Sequence, residues 1–374
     1  MEQVTVIVPF YNVEAYFEEC LDTLVNQTHS NVEILCIDDC SEDDSRAIAE
    51  AYASKDKRIK VLSHDVNKGL GGARNTGIQK AGGDYLCFVD SDDYVSERFV
   101  ESMYTSIRSM DCDIGVCGIN LDEGGSISPF PKLYKNEMFE ISNNNVFEVA
   151  IQLNPACSNK IFKKDLILRN NILQPENRYY EDVLFWLKAL YRSSKVCTIS
   201  DRLYYYRQRS GSIMKSHSHK HIDDRLDFVS RIVDLVEDEL SLAVNKDARK
   251  ITNDALLFIL EQLHVGSILI AEANALNREE LETYYEEGIS KMFVGTNWAT
   301  LLKIYKYYLE NKVLINSLRS TETSLKECQE HFAAASDRYR TLLEKKSSFW
   351  IKILISFAIG VVIINTILLL VFWA

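Results

Sequence analysis

Short apolar runs alternate with amphipathic stretches along the first 118 residues of the chain. Strands are predicted where the runs are short and rich in β-branched side chains, at residues 4–8, 33–37, 59–62, 85–89 and 114–117. Helices are predicted where apolar positions recur every three or four residues, at residues 13–26, 45–54, 71–80 and 97–110. This alternation predicts an α/β fold with a parallel, doubly wound sheet and helices on both faces.

The pattern changes after this region. Residues 121–139 are rich in Gly, Ser and Pro, which predicts a loop or a short hairpin. A segment closing back on the sheet is then predicted at residues 154–162, a helix at 181–191 and a strand at 203–207. Residues 217–266 and 278–318 have helical periodicity, so we expect a mostly α-helical subdomain after the sheet.

A heptad pattern follows the helical region. Mostly apolar side chains recur at alternating spacings of four and three residues, at Leu314, Leu318, Thr321, Leu325, Cys328, Phe332, Ala335, Tyr339 and Leu342. This spacing predicts a coiled coil through which copies of the chain form a homo-oligomer. A helix packed on its own domain is the alternative.

The last predicted element is a membrane helix. Residues 353–372 carry no charge, and at roughly 1.5 Å per residue such a length spans a hydrocarbon core of about 30 Å. Lys345, Lys346 and Lys352 precede this run and no basic residue follows it, which favours a cytoplasmic location for the preceding chain. The first residues show no signal-peptide pattern. We therefore expect a single-pass C-terminal anchor at the cytoplasmic face of the inner membrane.

These patterns divide the 374 residues into four expected parts. They are an α/β domain at residues 1–215, an α-helical subdomain at 216–310, a coiled-coil stalk at 311–348 and a transmembrane helix at 349–374. The formal net charge of -12 argues against a nucleic-acid partner, since phosphate backbones are held by clustered Lys and Arg. Nine scattered cysteines without a C-x-x-C pair predict buried free thiols in a reducing compartment.

An acidic cluster, Asp90-Ser91-Asp92-Asp93, directly follows the fourth predicted strand. Neighbouring carboxylates repel one another unless a cation neutralises them, and hard divalent ions prefer oxygen ligands. In open α/β sheets, ligands bind beyond the carboxyl ends of the strands. The cluster therefore predicts a site for Mn²⁺ or Mg²⁺ and a diphosphate, with a helix cap or a solvated turn as the alternative.

Two other segments carry candidate binding groups. Asp38 and Asp39 follow the second predicted strand, where a carboxylate can accept hydrogen bonds from a base or a ribose; a cap for the helix near Ser45 is equally consistent with the sequence. Residues 67–75 form a Gly-rich turn into a helix, which suits close backbone approach and anion binding. This turn lacks the P-loop lysine pattern and the dinucleotide fingerprint, so neither an NTPase nor a dehydrogenase is supported.

Five ordered motifs in about the first 210 residues resemble the family-2 GT-A glycosyltransferases. They are VTVIVPFYN at residues 4–12, IDDCS at 37–41, NKGLGGARNTG at 67–77, DYLCFVDSDD at 84–93 and YED at 180–182. The resemblance implies a Rossmann-like nucleotide-diphospho-sugar transferase domain. Cys40 departs from the small Gly or Asn that the family usually carries at this position.

The resemblance also implies roles for individual residues. Nucleotide-sugar binding would involve Pro9 and Tyr11 beside the base, Asp39 at the uracil edge, Asn67 near the base or ribose, Arg74 beside the acidic cluster, and Asp90 with Ser91 near the ribose. Asp92, with Asp90, would bind Mn²⁺ or Mg²⁺. Asp182 would be the catalytic base, and Glu181 would orient the acceptor or support the base. Further candidates are Arg207 or Arg209 for the diphosphate and His217, His219 or His221 for the metal.

The expected reaction is an inverting, metal-assisted transfer from a UDP-sugar to a hydroxyl of a glycan or lipid-linked precursor of the cell surface. Two alternatives remain. A sugar nucleotidyltransferase usually needs a Gly-rich signature with a lysine near the first strand, which the segment Pro9–Asn12 does not supply. A nucleotide-sugar-binding scaffold is disfavoured by the presence of both Asp92 and Asp182. A processive synthase is also disfavoured, because the sequence predicts one membrane span and contains no Q-x-x-R-W tract.

Overall fold

The computed structural model describes residues 2–132, 134–142, 145–209 and 218–242, together with Tyr285. The chain forms two compact units, Met1–His217 and Ser218–Ala374. The predicted coiled coil and membrane helix lie outside the described residues and stay predictions. Among the helices that the structure describes, none is both long and apolar enough to cross a membrane.

The first unit contains ten strands and seven helices among its described residues. In chain order they are β1 (Val4–Phe10), α1 (Glu14–Val25), β2 (Val32–Asp38), α2 (Ser45–Lys55), β3 (Ile59–Ser63), α3 (Gly69–Lys80), β4 (Tyr85–Phe88), β5 (Tyr94–Val95), α4 (Phe99–Ser109), β6 (Ile114–Glu123), β7 (Ser126–Pro129), β8 (Glu137–Glu140), α5 (Val146–Gln152), β9 (Lys160–Lys163), α6 (Lys164–Arg169), α7 (Glu181–Arg192) and β10 (Lys195–Arg207). In the second unit the structure describes α8 (His219–Leu242).

One mixed sheet organises the first unit. Its strand order is β3-β2-β1-β4-β9-β6-β10-β5, with β7 beside β6 and β8 beside β10. The strands β3, β2, β1 and β4 are parallel, as predicted. The expectation of a parallel sheet throughout is wrong, because β9 runs antiparallel to both β4 and β6. A buried strand has the same apolar pattern whichever way it runs, so the pattern alone cannot give its direction.

Helices cover both faces of the parallel strands, in agreement with the sequence pattern. On one face, Val6 and Val8 of β1 belong to the same core cluster as Phe17 and Leu21 of α1. On the other face, Ile7 lies against Gly77 of α3. Because β1, β2 and β4 are buried along their whole length, their carboxyl ends form a fixed edge on which polar residues can be positioned.

The Gly-rich segment forms most of α3, which begins two residues earlier than predicted. A Cβ on Gly77 would lie 2.3 Å from Ile7 Cγ2, and one on Gly71 would lie 2.2 Å from the carbonyl oxygen of Pro175. Glycine at these positions lets α3 pack closely against β1 and against the chain that leads to α7. This close packing brings the side chains of α3 next to the first turn of α7.

The region around residues 121–139 forms a hairpin, one of the two predicted alternatives. β6 and β7 pair antiparallel, and Gly124 and Gly125 at the turn have φ of 66° and 93°. Both β6 and β10 are longer than predicted. The cysteines at positions 20, 36, 40, 87, 112, 117, 157 and 197 are free, and all except Cys40 are buried, which confirms the expectation of buried free thiols for seven of these positions.

Candidate active site

The carboxyl ends of β1, β2 and β4 carry most of the predicted nucleotide-binding residues, and Asn67 and Arg74 lie before and within α3. Pro9 is buried near the end of β1, and Tyr11, just beyond it, is 46% exposed. Asn12 and Cys40 in the adjoining loops have left-handed φ of 51° and 71°. The left-handed backbone at Cys40 explains why a Gly or Asn suits this position, since both tolerate it at lower cost than other residues.

Asp39 is held in place by groups from two other segments. Its Oδ1 accepts a hydrogen bond from the backbone N–H of Lys68 at 2.8 Å and lies 2.7 Å from Nδ1 of His64. Asn67 donates through Nδ2 to the Asp39 carbonyl at 3.0 Å. The alternative that Asp38 or Asp39 caps the following helix is wrong, because the N-cap residue of α2 is Asp44 and no side chain makes a capping hydrogen bond there. Asp39 and Asn67 therefore lie together at the strand edge.

Arg74 connects the acidic cluster to the start of α7. Its guanidinium donates through Nη2 to Asp90 Oδ1 at 2.6 Å and through Nη1 to Glu181 Oε1 at 2.8 Å. Arg74 is 2% exposed, so these charged hydrogen bonds lie away from bulk water. Gln174 Oε1 also accepts from Nη1 at 3.2 Å. Two motifs more than 80 residues apart in the sequence thus share one buried cation.

Glu181 and Asp182 occupy the first turn of α7. The preceding residue, Tyr180, has a left-handed φ of 63°, which turns the chain sharply into the helix. Burial raises the pKa of Glu181 to about 7, with the Asp182 charge acting in the same direction and Arg74 opposing it. Burial likewise raises the pKa of Asp182, while Arg74 opposes the shift. Asp182 remains partly exposed whereas Glu181 is buried, so Asp182 is the better placed of the two to contact a substrate.

The three carboxylates of the acidic cluster have different partners. Asp92 Oδ2 accepts from Arg209 Nε at 2.6 Å. Asp93 is buried, accepts the hydroxyl hydrogen of Tyr204 at 2.7 Å and accepts the backbone N–H of Arg207 at 2.8 Å. Asp93 therefore fixes β10 to the cluster, which leaves Asp90 and Asp92 as the carboxylates closest to solvent. Ser91 between them is 5% exposed.

The donor set of Asp90 and Asp92 fits a hard divalent cation. Their side chains are 27% and 24% exposed, and each is paired with a guanidinium. Burial raises the pKa of Asp92, with the Asp90 charge next in importance, as expected where carboxylates crowd together without enough positive charge. No group of three His, Cys, Asp or Glu within the described residues forms a metal site by itself. Mg²⁺ commonly binds one or two carboxylates and completes its shell with water and phosphate oxygens.

The other basic candidates lie in different surroundings. Arg207 donates to Glu19 at 2.7 Å, and its guanidinium lies 5.2 Å from the ring centres of both Tyr16 and Tyr94. With Arg209 it lines a cleft of about 450 Å³ between α1, the β6–β7 turn and the end of β10. His217 lies outside the described residues, and His219 and His221 belong to the second unit; their metal role stays a prediction.

Three supporting residues were not identified from the sequence. His64 follows β3 and contacts Asp39, so the strand-end rule that singled out Asp39 also applies to it. Gln174 holds Arg74 and is itself bound through its backbone to Asn75 at 2.8 Å. Tyr204 donates to Asp93 from β10, more than 100 residues away in the sequence. Gln174 and Tyr204 act across long sequence separations, so no local motif marks them.

Comparison with known proteins identifies the family of this chain. The glycosyl transferase family 2 model matches residues 5–167. EpsJ of Bacillus subtilis, named an uncharacterized glycosyltransferase, is 34% identical over 235 residues, which are 60% of this chain and 66% of EpsJ. The glycosyltransferase GlyG of Streptococcus pneumoniae is 33% identical over 233 residues, which are 58% of this chain and 74% of GlyG.

TarS of Staphylococcus aureus is similar in both sequence and fold. This poly(ribitol-phosphate) β-N-acetylglucosaminyltransferase is 31% identical over 221 residues, covering 58% of this chain and 37% of TarS. A crystal structure of TarS residues 1–349 with UDP-GlcNAc superposes with a TM-score of 0.55 at 22% identity, over 82% of this chain and 92% of that one. The prediction of a GT-A-like glycosyltransferase is confirmed by these matches. The chain belongs to glycosyl transferase family 2.

Proposed function

We propose that the chain transfers a sugar from a UDP-sugar to a hydroxyl of a cell-surface glycan precursor by a single inverting displacement. The observation that carries this proposal is the Arg74 bridge, which joins Asp90, the candidate diphosphate-side carboxylate, to Glu181 beside the candidate base. Such a bridge holds the group that would stabilise the leaving group close to the candidate base. A single displacement requires both at one reaction centre.

The donor would bind along the strand edge. Asp39 and Asn67 would contact the uracil and ribose, Tyr11 would lie beside the base, and Asp90 would hold the ribose. TarS, a relative in sequence, has been solved with UDP-GlcNAc, which supports a uridine diphosphate donor. A divalent cation bound by Asp92 and Asp90 would neutralise the negative charge that develops on the departing diphosphate.

Asp182 would act as the general base. Its carboxylate accepts the hydroxyl proton of the acceptor while the hydroxyl oxygen forms a bond to the anomeric carbon. The bond from that carbon to the diphosphate oxygen breaks, and its electron pair leaves with UDP. Attack from the face opposite the leaving group inverts the anomeric configuration. Glu181 is buried against Arg74, which favours a supporting role over direct contact with the acceptor.

The acceptor would be a glycan or a lipid-linked precursor at the membrane. Support comes from relatives: TarS is named for transfer to poly(ribitol-phosphate). We further propose that residues 353–372 anchor the chain at the cytoplasmic face of the membrane and that residues 314–342 mediate homo-oligomer formation. Both statements rest on sequence pattern alone.

The test is a panel of UDP-sugars with Mn²⁺ or Mg²⁺, read by UDP release in the presence and absence of glycan acceptors. The anomeric configuration of the product, determined by NMR, distinguishes inversion from retention. We expect UDP release with at least one donor and a product of opposite anomeric configuration. A product that keeps the donor configuration would contradict the single displacement.

Substitution of the proposed base is the sharper test. Asp182→Asn should bind UDP normally and lose transfer by about 10²-fold or more, because the amide cannot accept the proton. The matched control is Asp165→Asn, which removes a carboxylate from the exposed i,i+4 pair with Arg169 and should leave turnover unchanged. Wild-type turnover in Asp182→Asn would assign the base elsewhere.

A further inference from the structure

Lys160 at the start of β9 is a buried amine that the proposed reaction does not use. Lys160 is 0% exposed. The Nζ donates to the carbonyl oxygen of Asn154 at 2.6 Å, to Asn159 Oδ1 at 2.9 Å and to the carbonyl oxygen of Ala156. All three partners belong to the turn at residues 154–159, so one side chain holds together the segment that leads into β9.

These contacts favour the ammonium form of Lys160. Burial lowers the pKa of Lys160 to about 7, but a neutral amine has only two N–H donors and would direct its lone pair at the third acceptor. The ammonium supplies all three donors. Its Nζ also lies 4.6 Å from the centre of the Trp186 ring, a position in which a cation is attracted to the ring face.

The Trp186 contact places the ammonium against the face of α7 that also carries Asp182. Asp182 and Trp186 are four residues apart in α7, so their side chains project from the same face of the helix. The positive charge of Lys160 acts on Asp182 in the direction opposite to burial, and favours the ionised carboxylate. Lys160 is thus a second cation that acts on Asp182, after Arg74.

The turn at residues 154–159 also contacts Gln174, which holds Arg74. Cys157 Sγ lies 3.8 Å from Gln174 Nε2, and Gln174 Oε1 accepts from Arg74. A displacement of this turn would therefore reach Arg74 through Gln174. Lys160 is connected to the site in two ways, by its charge and by the turn that it holds.

We propose that Lys160 is a positioning residue for the reaction, whose ammonium fixes the turn at residues 154–159 against α7 and keeps Asp182 ionised. This inference rests on the proposed role of Asp182 as the base. The charged or titratable groups that act on Asp182 are Arg74 from α3, Asp90 after β4 and Lys160 from β9, with Glu181 adjacent on α7. Those that act on Lys160 itself include Cys157, Cys117 and Lys132.

The test compares Lys160→Met with Lys160→Arg in the full chain. Methionine keeps the length of the side chain but removes the charge, so the acidic limb of the kcat/KM profile should move to higher pH by about half a unit or more. UDP affinity should stay within about twofold, because the donor edge is built from other strands. Lys160→Arg retains the charge and should restore most of the wild-type acidic limb. An unshifted limb in folded Lys160→Met would overturn the proposal.

Two further measurements distinguish a folding defect from a lost role of Lys160, and the role of Lys160 from that of Asp182. If Lys160→Met fails to fold, ¹⁵N NMR of the lysine Nζ in wild-type protein at pH 6, below its pKa of about 7, should show a solvent-protected ammonium; a neutral amine there would overturn the proposal. Asp182→Asn is measured in parallel. Its retained turnover would overturn the base assignment and this inference together, whereas inactive Asp182→Asn with an unshifted Lys160→Met profile would overturn only the role of Lys160.

Discussion

Arg74 has more carboxylates around it than its single charge can neutralise. It bonds Asp90 and Glu181 directly, and Asp182 is among the groups that act on it. Burial, together with the excess negative charge, explains why the pKa of both Glu181 and Asp182 is raised. A carboxylate with a raised pKa is a stronger base once it is ionised, which suits proton removal near neutral pH.

The raised pKa of Glu181 predicts a specific dependence of stability on pH. A folded-state pKa of about 7 exceeds the usual value near 4.3, so the native state binds more protons than the unfolded state between these values. The free energy of unfolding should therefore fall as pH rises from about 5 to 8, by up to roughly 3 kcal/mol from this group.

Urea denaturation of wild-type protein and Glu181→Gln at pH 5 and pH 8 measures this effect. Glutamine does not titrate, so the difference in unfolding free energy between the two pH values should be smaller in the variant. The variant loses the ion pair to Arg74 and should be less stable overall, so the comparison rests on the pH dependence. An equal pH dependence in both proteins would contradict the assignment to Glu181.

Sequence motifs predicted the candidate residues that gather at the strand edge better than the residues that hold them there. Asp39, Asp90 and Asp92 follow apolar strands, and that position is readable from the pattern. The sequence pattern does not single out Lys160, because a lysine at the start of an apolar strand is usually predicted to be exposed to solvent. Its role depends on three acceptors and a tryptophan that only the folded chain brings together.

The glycines of α3 allow this helix to pack closely against β1, and this packing affects the site. Gly77 lies against Ile7 of β1, which is fully buried and cannot move aside freely. The same helix carries Arg74 and Asn75, which bond Glu181 and Gln174. The separation between α3 and β1 therefore determines where Arg74 lies relative to the start of α7.

Gly77→Ala should destabilise the first unit. The added methyl would require Ile7 to shift, at about 1–3 kcal/mol for overpacking, against a gain of about 1 kcal/mol in helix propensity. The net loss should appear as a lower melting temperature. The control is the same substitution in an Ile7→Ala background, where the opposing methyl groups are absent and the added cost should vanish. Equal costs in the two backgrounds would show that Ile7 is not the obstacle.

The sequence predicted the elements more reliably than their direction and length. The parallel strands β1, β2 and β4 were predicted because each contains a mostly apolar, buried run, whereas β3 was predicted from a shorter run that Lys60 interrupts. β10 was predicted only at its end, since the polar residues Ser200 to Arg202 interrupt its apolar pattern. Its pairing with β6 shifts register on both sides of Arg202, so an irregular strand lies where the alternation fails. The reversed direction of β9 depends on its neighbours and is not encoded in four residues.

At the scale of the whole molecule, the family match and the candidate site both fall within the first compact unit. The match ends at residue 167, and the site extends to Arg209. The second unit, Ser218–Ala374, contains the stretches in which the sequence predicts a coiled coil and a membrane helix. Catalysis and anchoring are therefore expected to be separable by truncation.

Two truncations distinguish membrane anchoring from self-association. Deletion of residues 349–374 removes the uncharged run and should move the protein from the membrane fraction to the soluble fraction while leaving its oligomeric state intact. Deletion of residues 311–374 removes the heptads as well and should give a smaller species on analytical ultracentrifugation. UDP binding should survive both truncations, because Asp39, Asn67 and Asp90 belong to the first unit. If the longer deletion leaves the oligomer unchanged, the heptad residues face their own domain instead of a second copy of the chain.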